Sequence, residues 1–186
     1  MSILKFLGLE TAASAAARAG AETDSVREIA AELENLQPEM AQYVAKFAYI
    51  LSRVASADLH VSPEETQEME RIIMRIGGLA EDQARLVVRV AKTRNLKFGA
   101  ADNFLVTREF GRMATPDQKA ALLHCLFAVS AAEGLITTVE DNEIRQIASE
   151  LRVEHREYLA VRLNYRKHLS VLQDLPQGSV NPPAKG

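Results

Sequence analysis

Apolar residues recur along most of this chain with a period near 3.6, the spacing of helices that bury one face, rather than the period of two that strands require. Tyr43, Val44, Phe47, Ile50, Leu51 and Val54 make one stripe, and Met69, Ile72, Ile73 and Ile76 make the next. Leu86, Val87 and Val90 continue the pattern, followed by Phe104, Leu105, Phe110 and Met113. Leu122, Leu123, Leu126, Phe127 and Val129 form another stripe, then Ile144, Ile147 and Leu151. Tyr158, Leu159, Val161, Leu163 and Leu169 lie along a last helix. Pro38, Pro63 and Pro116 predict helix starts, where proline's missing N–H has no partner to lose, and Gly77-Gly78 predicts a helix stop. The pattern predicts an all-α protein, a compact bundle of about seven or eight helices. The Ala-rich residues 1–22 and the Pro- and Gly-rich residues 176–186 are expected to be mobile, leaving 23–175 as the helical domain.

A shift of 75 residues lays one part of the pattern over another. It places Ile50–Asp58 on Cys125–Glu133, Val61 on Ile136, Ser62 on Thr137, Glu65 on Glu140 and Glu68 on Glu143. Met69, Ile72, Ile73 and Ile76 fall on Ile144, Ile147, Ala148 and Leu151. Each copy reads as an apolar helix, a short acidic turn, a capped helix and a further helix, over about 40–93 and 115–170, the further helices at about 80–93 and 154–172. Two such copies imply modules packed about a pseudo-twofold axis.

Ser62-Pro63-Glu64-Glu65 and Thr137-Thr138-Val139-Glu140 carry the capping-box spacing, in which a hydroxyl accepts the third helical N–H and the glutamate accepts the cap's own N–H. Capping explains Glu65 and Glu140 but not Asp58 and Glu133, which end apolar helices where the dipole disfavours negative charge. Each is followed ten residues later by a second carboxylate, Glu68 and Glu143. If the modules meet face to face, Asp58, Glu68, Glu133 and Glu143 converge, and a hard divalent cation such as Ca²⁺ or Mg²⁺ would offset their repulsion. Glu65 and Glu140 are reserve ligands, and His60 in the first turn would shift preference toward Zn²⁺ or Mn²⁺. The alternative is a solvated face on which the acids pair with Arg53, Arg71 and Arg145. An EF-hand does not fit, because the loop after Asp58 lacks acids at its third and fifth positions and has Met69 at its twelfth.

Ala57-Asp58-Leu59-His60-Val61-Ser62 with Glu65 and Glu68, and Ala132-Glu133-Gly134-Leu135-Ile136-Thr137 with Glu140 and Glu143, resemble the tellurite-resistance TerB-like superfamily. That superfamily includes the N-terminal domain of DjlA-type co-chaperones, and the resemblance spans about residues 40–170. It implies an all-helical fold with internal pseudo-symmetry, acidic turns proposed to bind metal, and a role in stress response rather than turnover. It also implies protein partners, with a membrane-associated stress complex among the candidates, and a cytoplasmic or membrane-peripheral location. Leu59 stands where the family usually has glycine, a position Gly134 keeps in the second copy, and Glu133 stands where aspartate is commoner. The chain carries no J-type His-Pro-Asp motif.

Composition narrows the remaining classes. The balance of 22 Lys+Arg against 25 Asp+Glu argues against a nucleic-acid binder, although Arg85, Arg89 and Lys92, with Arg94 and Lys97 beyond, form a local basic stripe. That stripe reads first as a solvated outer face. The single cysteine, Cys125, excludes an intramolecular disulfide or thiolate zinc cluster and reads as a small core residue. Tryptophan is absent, and no phosphate loop, His-Glu-x-x-His or Gly-x-Ser-x-Gly motif occurs, so an enzyme is not expected. The longest uncharged apolar-rich stretch, Ala120–Ala132, has 13 residues, short of the roughly 20 a membrane span needs.

Overall fold

The structure is a computed structural model that describes residues 20–54, 63–92, 100–132 and 134–173, apart from the side chains of 20–26, 100, 101 and 173. Nine α-helices occur among the described residues, eight of them seven residues or longer. They are α1 (Gly20–Glu34), α2 (Pro38–Val54), α3 (Pro63–Arg75), α4 (Glu81–Ala91), α5 (Ala100–Met113), α6 (Pro116–Ala132), α7 (Thr138–Glu150), α8 (His155–Leu163) and α9 (Ser170–Gln173), with a 3-10 turn at Arg166–His168 before α9. The fold is an all-α bundle.

The prolines act as expected, since Pro38, Pro63 and Pro116 are each the first residue of a helix. Gly78 adopts φ +69°, the left-handed conformation that ends α3 without a side-chain clash. Before α6, Thr115 and Gln118 form a reciprocal cap: the Thr115 N–H donates to Gln118 Oε1 at 2.9 Å, and the Gln118 N–H donates to Thr115 Oγ1 at 3.2 Å.

Two 17-residue helices form the centre. Helix α2 buries eleven residues and packs against α1, α4, α5, α6 and α7. Helix α6 is apolar nearly all round and packs against α2, α3, α7 and α8, the surroundings such a helix needs. Helices α3 and α7 are each 13 residues long and begin 75 residues apart. Exchanging α2 with α6, α3 with α7 and α4 with α8 converts several packing pairs into others: α2–α4 into α6–α8, α3–α4 into α7–α8, and α2–α7 into α6–α3. Helix α1 flanks this centre. It rests on α2 and α4 and buries Ile29 and Leu33 among its described side chains, each contributing about 1.5–3 kcal/mol before ordering costs.

Two expectations need correction. The last helix does not continue through 154–172: α8 ends at Leu163, and Leu169 instead enters a parallel bridge with Ile136. The Ile136 N–H donates to His168 O at 2.7 Å, and the Ser170 N–H donates to Ile136 O at 3.0 Å. The chain leaves the helix because this pairing buries both Ile136 and Leu169 while leaving Leu159 and Leu163 exposed. In α5, Val106, Thr107 and Phe110 face inward, whereas Phe104, Leu105 and Met113 are exposed. The run Phe104-Leu105-Val106 permits two stripes, and the packing of α5 on α2 and α7 selects the second.

Candidate functional site

The chemically richest point of the bundle lies where α2, α5 and α7 meet. Arg53 occupies the last turn of α2, just beyond the buried apolar run Phe47–Leu51, and its side chain is 5% exposed. A buried guanidinium persists only if its N–H groups find acceptors, and here all three nitrogens do. Nε donates to Glu143 Oε1 at 2.9 Å, and Nη2 lies 2.8 Å from the same oxygen. Nη1 donates to Glu150 Oε2 and to Thr107 Oγ1, both at 2.6 Å. The Thr107 hydroxyl donates to Asn103 O at 3.0 Å, and Gln146 Nε2 donates to Glu150 Oε1 at 2.9 Å. Tyr49 and Asn103 are hydrogen-bonded at the edge of the same cluster.

Electrostatics follow the contacts. Burial pulls the Arg53 pKa down, but the hydrogen bonds and charges of Glu150 and Glu143 outweigh it, so the net shift is upward. Burial likewise raises the Glu150 pKa, yet its hydrogen bonds to Arg53 and Gln146 and the Arg53 charge leave it below its ordinary value. Burial pushes the Tyr49 hydroxyl up to about 12. Two carboxylates therefore share one guanidinium. Glu150 is enclosed on both oxygens, but Glu143 is engaged only through Oε1. Its Oε2 has no partner among the described residues, and the side chain is 27% exposed.

The second acidic turn is built as its sequence requires. Thr137 caps α7: Glu140 N–H donates to Thr137 Oγ1 at 3.2 Å, and Thr137 N–H donates to Glu140 Oε2 at 2.8 Å. Glu140 is thus a buried capping residue. Gly134 has φ +127°, which a side chain would strain, so glycine is required at this position of the turn. On the next face of α7, Asp141 receives Arg162 from α8 at 2.8 and 2.6 Å.

Asp58, His60 and the cap Ser62 of the first acidic turn lie outside the described residues, as does Glu133 of the second. Glu65 is exposed in the first turn of α3. Glu68 pairs with Arg71 one turn along the same helix, through Oε2. Pairing with Arg53 and Arg71 therefore holds for Glu143 and Glu68, although Arg53 is buried rather than solvated. Arg145 bonds Asn142 instead, at 3.1 Å. Among the described residues, no three His, Cys, Asp or Glu side chains gather as a metal would require. A cation site would need Asp58 and Glu133 beside the described carboxylates.

Other candidates resolve plainly. Cys125 is fully buried, and burial pushes its thiol up to about 12, which makes it inert core. His124 faces Tyr165, whose hydroxyl donates to His124 O at 3.0 Å, and burial lowers the imidazole pKa. The arginines of the described part of the basic stripe lie on a solvent-exposed face, where they are paired. Arg85 pairs with Glu81, Arg89 pairs with Glu28 and Glu32, and Lys92 donates to Thr66 at 2.8 Å. Glu150 and Thr107 were not among the sequence candidates. The available signal was a lone arginine in the stripe of α2, with carboxylates at 143 and 150, two turns apart on one helix face.

The fold and this cluster define an all-helical bundle whose charged residues join helices to one another. Its family is known: the model for tellurite resistance protein TerB matches residues 45–163. The chain belongs to the TerB family. No curated protein and no solved structure matches it significantly. No helix among the described residues is long and apolar enough to cross a membrane.

Proposed function

We propose that this TerB-family chain is a stress-response module that binds a divalent cation at its paired acidic turns and offers its helical faces to protein partners, without turning over a substrate. The observation that carries the reading is the half-used carboxylate of Glu143. Arg53 holds Oε1, and among the described residues no partner holds Oε2, at a partly exposed position. Asp58, Glu68 and Glu133 would supply further oxygens, with Glu65, Glu140 and His60 in reserve. Carboxylate oxygen donors suit Ca²⁺, Mg²⁺ or Mn²⁺, and His60 would bring Zn²⁺ into range. The matching lengths and 75-residue spacing of α3 and α7 support two related copies about a pseudo-twofold axis.

A second reading, a metal-free adaptor of protein-interaction or co-chaperone type, draws support from the arginine that each of Glu68 and Glu143 already holds. Calorimetric titration of chelator-treated protein separates the two. The first reading expects saturable binding of at least one of the four ions, lost on Glu68→Gln combined with Glu143→Gln. Absence of binding by all four, or binding that survives the double substitution, supports the adaptor.

A further inference from the structure

Arg53 does more than join α2, α5 and α7, because of where its charge sits relative to Glu143. Two of its nitrogens converge on one carboxylate oxygen, with Nε at 2.9 Å and Nη2 at 2.8 Å from Glu143 Oε1. The third, Nη1, is held by Glu150 Oε2 and Thr107 Oγ1, both at 2.6 Å. The guanidinium is 5% exposed, so little water screens its charge from the carboxylate it holds. A divalent ion bound by that carboxylate would lie close to a fixed positive charge and would be repelled by it. Glu150 acts in the opposite direction, since its charge offsets part of that repulsion. Glu68 is placed differently. The 75-residue shift puts Ala128 of α6 at the position of Arg53, and the arginine that pairs with Glu68 is Arg71, which is 67% exposed and screened by solvent.

We infer that Arg53 is an internal competitor of the divalent cation at Glu143, lowering the ion affinity of the site without touching the ion, and that Glu150 moderates this effect. The inference rests on the cation reading proposed above and adds what regulates it. With Arg53 in place, Glu143 takes an ion only at concentrations above those the same oxygens would need without the guanidinium. The coupling is reciprocal, so a bound ion also weakens the hold of Arg53 on Glu143.

Calorimetric titration of the chelator-treated full chain with Ca²⁺, Mg²⁺, Mn²⁺ and Zn²⁺ in turn tests this. Arg53→Gln removes the charge but keeps hydrogen-bond donors, and should tighten binding at least about tenfold. Arg53→Lys keeps the charge and should stay within about threefold of the unaltered chain. Glu150→Gln leaves the guanidinium less neutralised and should weaken binding roughly three- to tenfold. Arg71→Gln makes the same change in net charge as Arg53→Gln and should alter binding less than about threefold. The opposite signs at Arg53 and Glu150 separate electrostatic tuning from a structural role, because substitutions that merely loosened the bundle would weaken binding alike. If the unaltered chain binds an ion and Arg53→Gln binds it no more tightly, the inference is overturned and the cation reading stands. Equal tightening by Arg71→Gln also overturns it, by assigning the effect to net charge. No binding by either the unaltered chain or Arg53→Gln overturns the cation reading and the inference with it. Should Arg53→Gln not fold, the Arg53 Nε–H resonance of the unaltered chain decides. A saturable shift that follows ion binding supports the inference, and a resonance unmoved by a bound ion overturns it.

Discussion

Arg53 and Arg89 make the same kind of contact, one guanidinium against two glutamates of another helix, in opposite surroundings. Arg53 is 5% exposed and meets Glu143 and Glu150, two turns apart on α7. Arg89 is 37% exposed and meets Glu28 and Glu32, one turn apart on α1. Solvent screens the second cluster, so its pairs contribute little to stability. Burial makes the first cluster costly to disturb, because any partner removed leaves a charge in a poorly solvated place. One family-matched core is thus joined by a stringent polar tie at α7 and a permissive one at α1.

The contrast is broken most severely at Arg53. Arg53→Met leaves Glu143 and Glu150 without their cation and is expected to cost about 3–5 kcal/mol, read from urea unfolding. Glu150→Gln should cost roughly 1.5–3 kcal/mol near neutral pH, since it replaces a charged acceptor by a neutral one. It should also flatten the acid limb. The Glu150 pKa is depressed in the folded state, so its contribution is present above the unfolded value of 4.5 and is lost as pH falls through the lower folded value. Unfolding midpoints measured from neutral pH down through that range should therefore fall less steeply in the variant. Thr137→Ala removes the cap of the helix that carries both glutamates and should cost about 1 kcal/mol in the same assay. Arg89→Ala should change global stability by less than about 1 kcal/mol, with faster hydrogen exchange confined to α1. A loss at Arg89 equal to that at Arg53 would erase the distinction.

The helical class, the three proline starts, the Gly77-Gly78 stop and the Thr137–Glu140 box were legible because each depends on residues within one or two turns of one another. The break after Leu163 was not, since Asn164 and Tyr165 carry no proline or glycine and the apolar period runs on to Leu169. What ends α8 is a pairing with Ile136, 33 residues earlier in the chain. The site was half legible for the same reason. Sequence spacing picked out Glu143 and named Arg53 as a partner for the acids, but placed Arg53 on a solvated face. Only the packing of α5 on α2 and α7 brings Thr107 and Glu150 around it. The positive φ of Gly134 explains why glycine occupies its place in the second turn.

Carboxyl-carbon NMR of Glu143 and Glu150 during divalent-ion titration tests the central claim most directly. With Glu143 Oε2 unengaged among the described residues and Glu150 enclosed, the Glu143 resonance should shift saturably while the Glu150 resonance stays in place. A Glu143 resonance unmoved by Ca²⁺, Mg²⁺, Mn²⁺ and Zn²⁺ alike would contradict it.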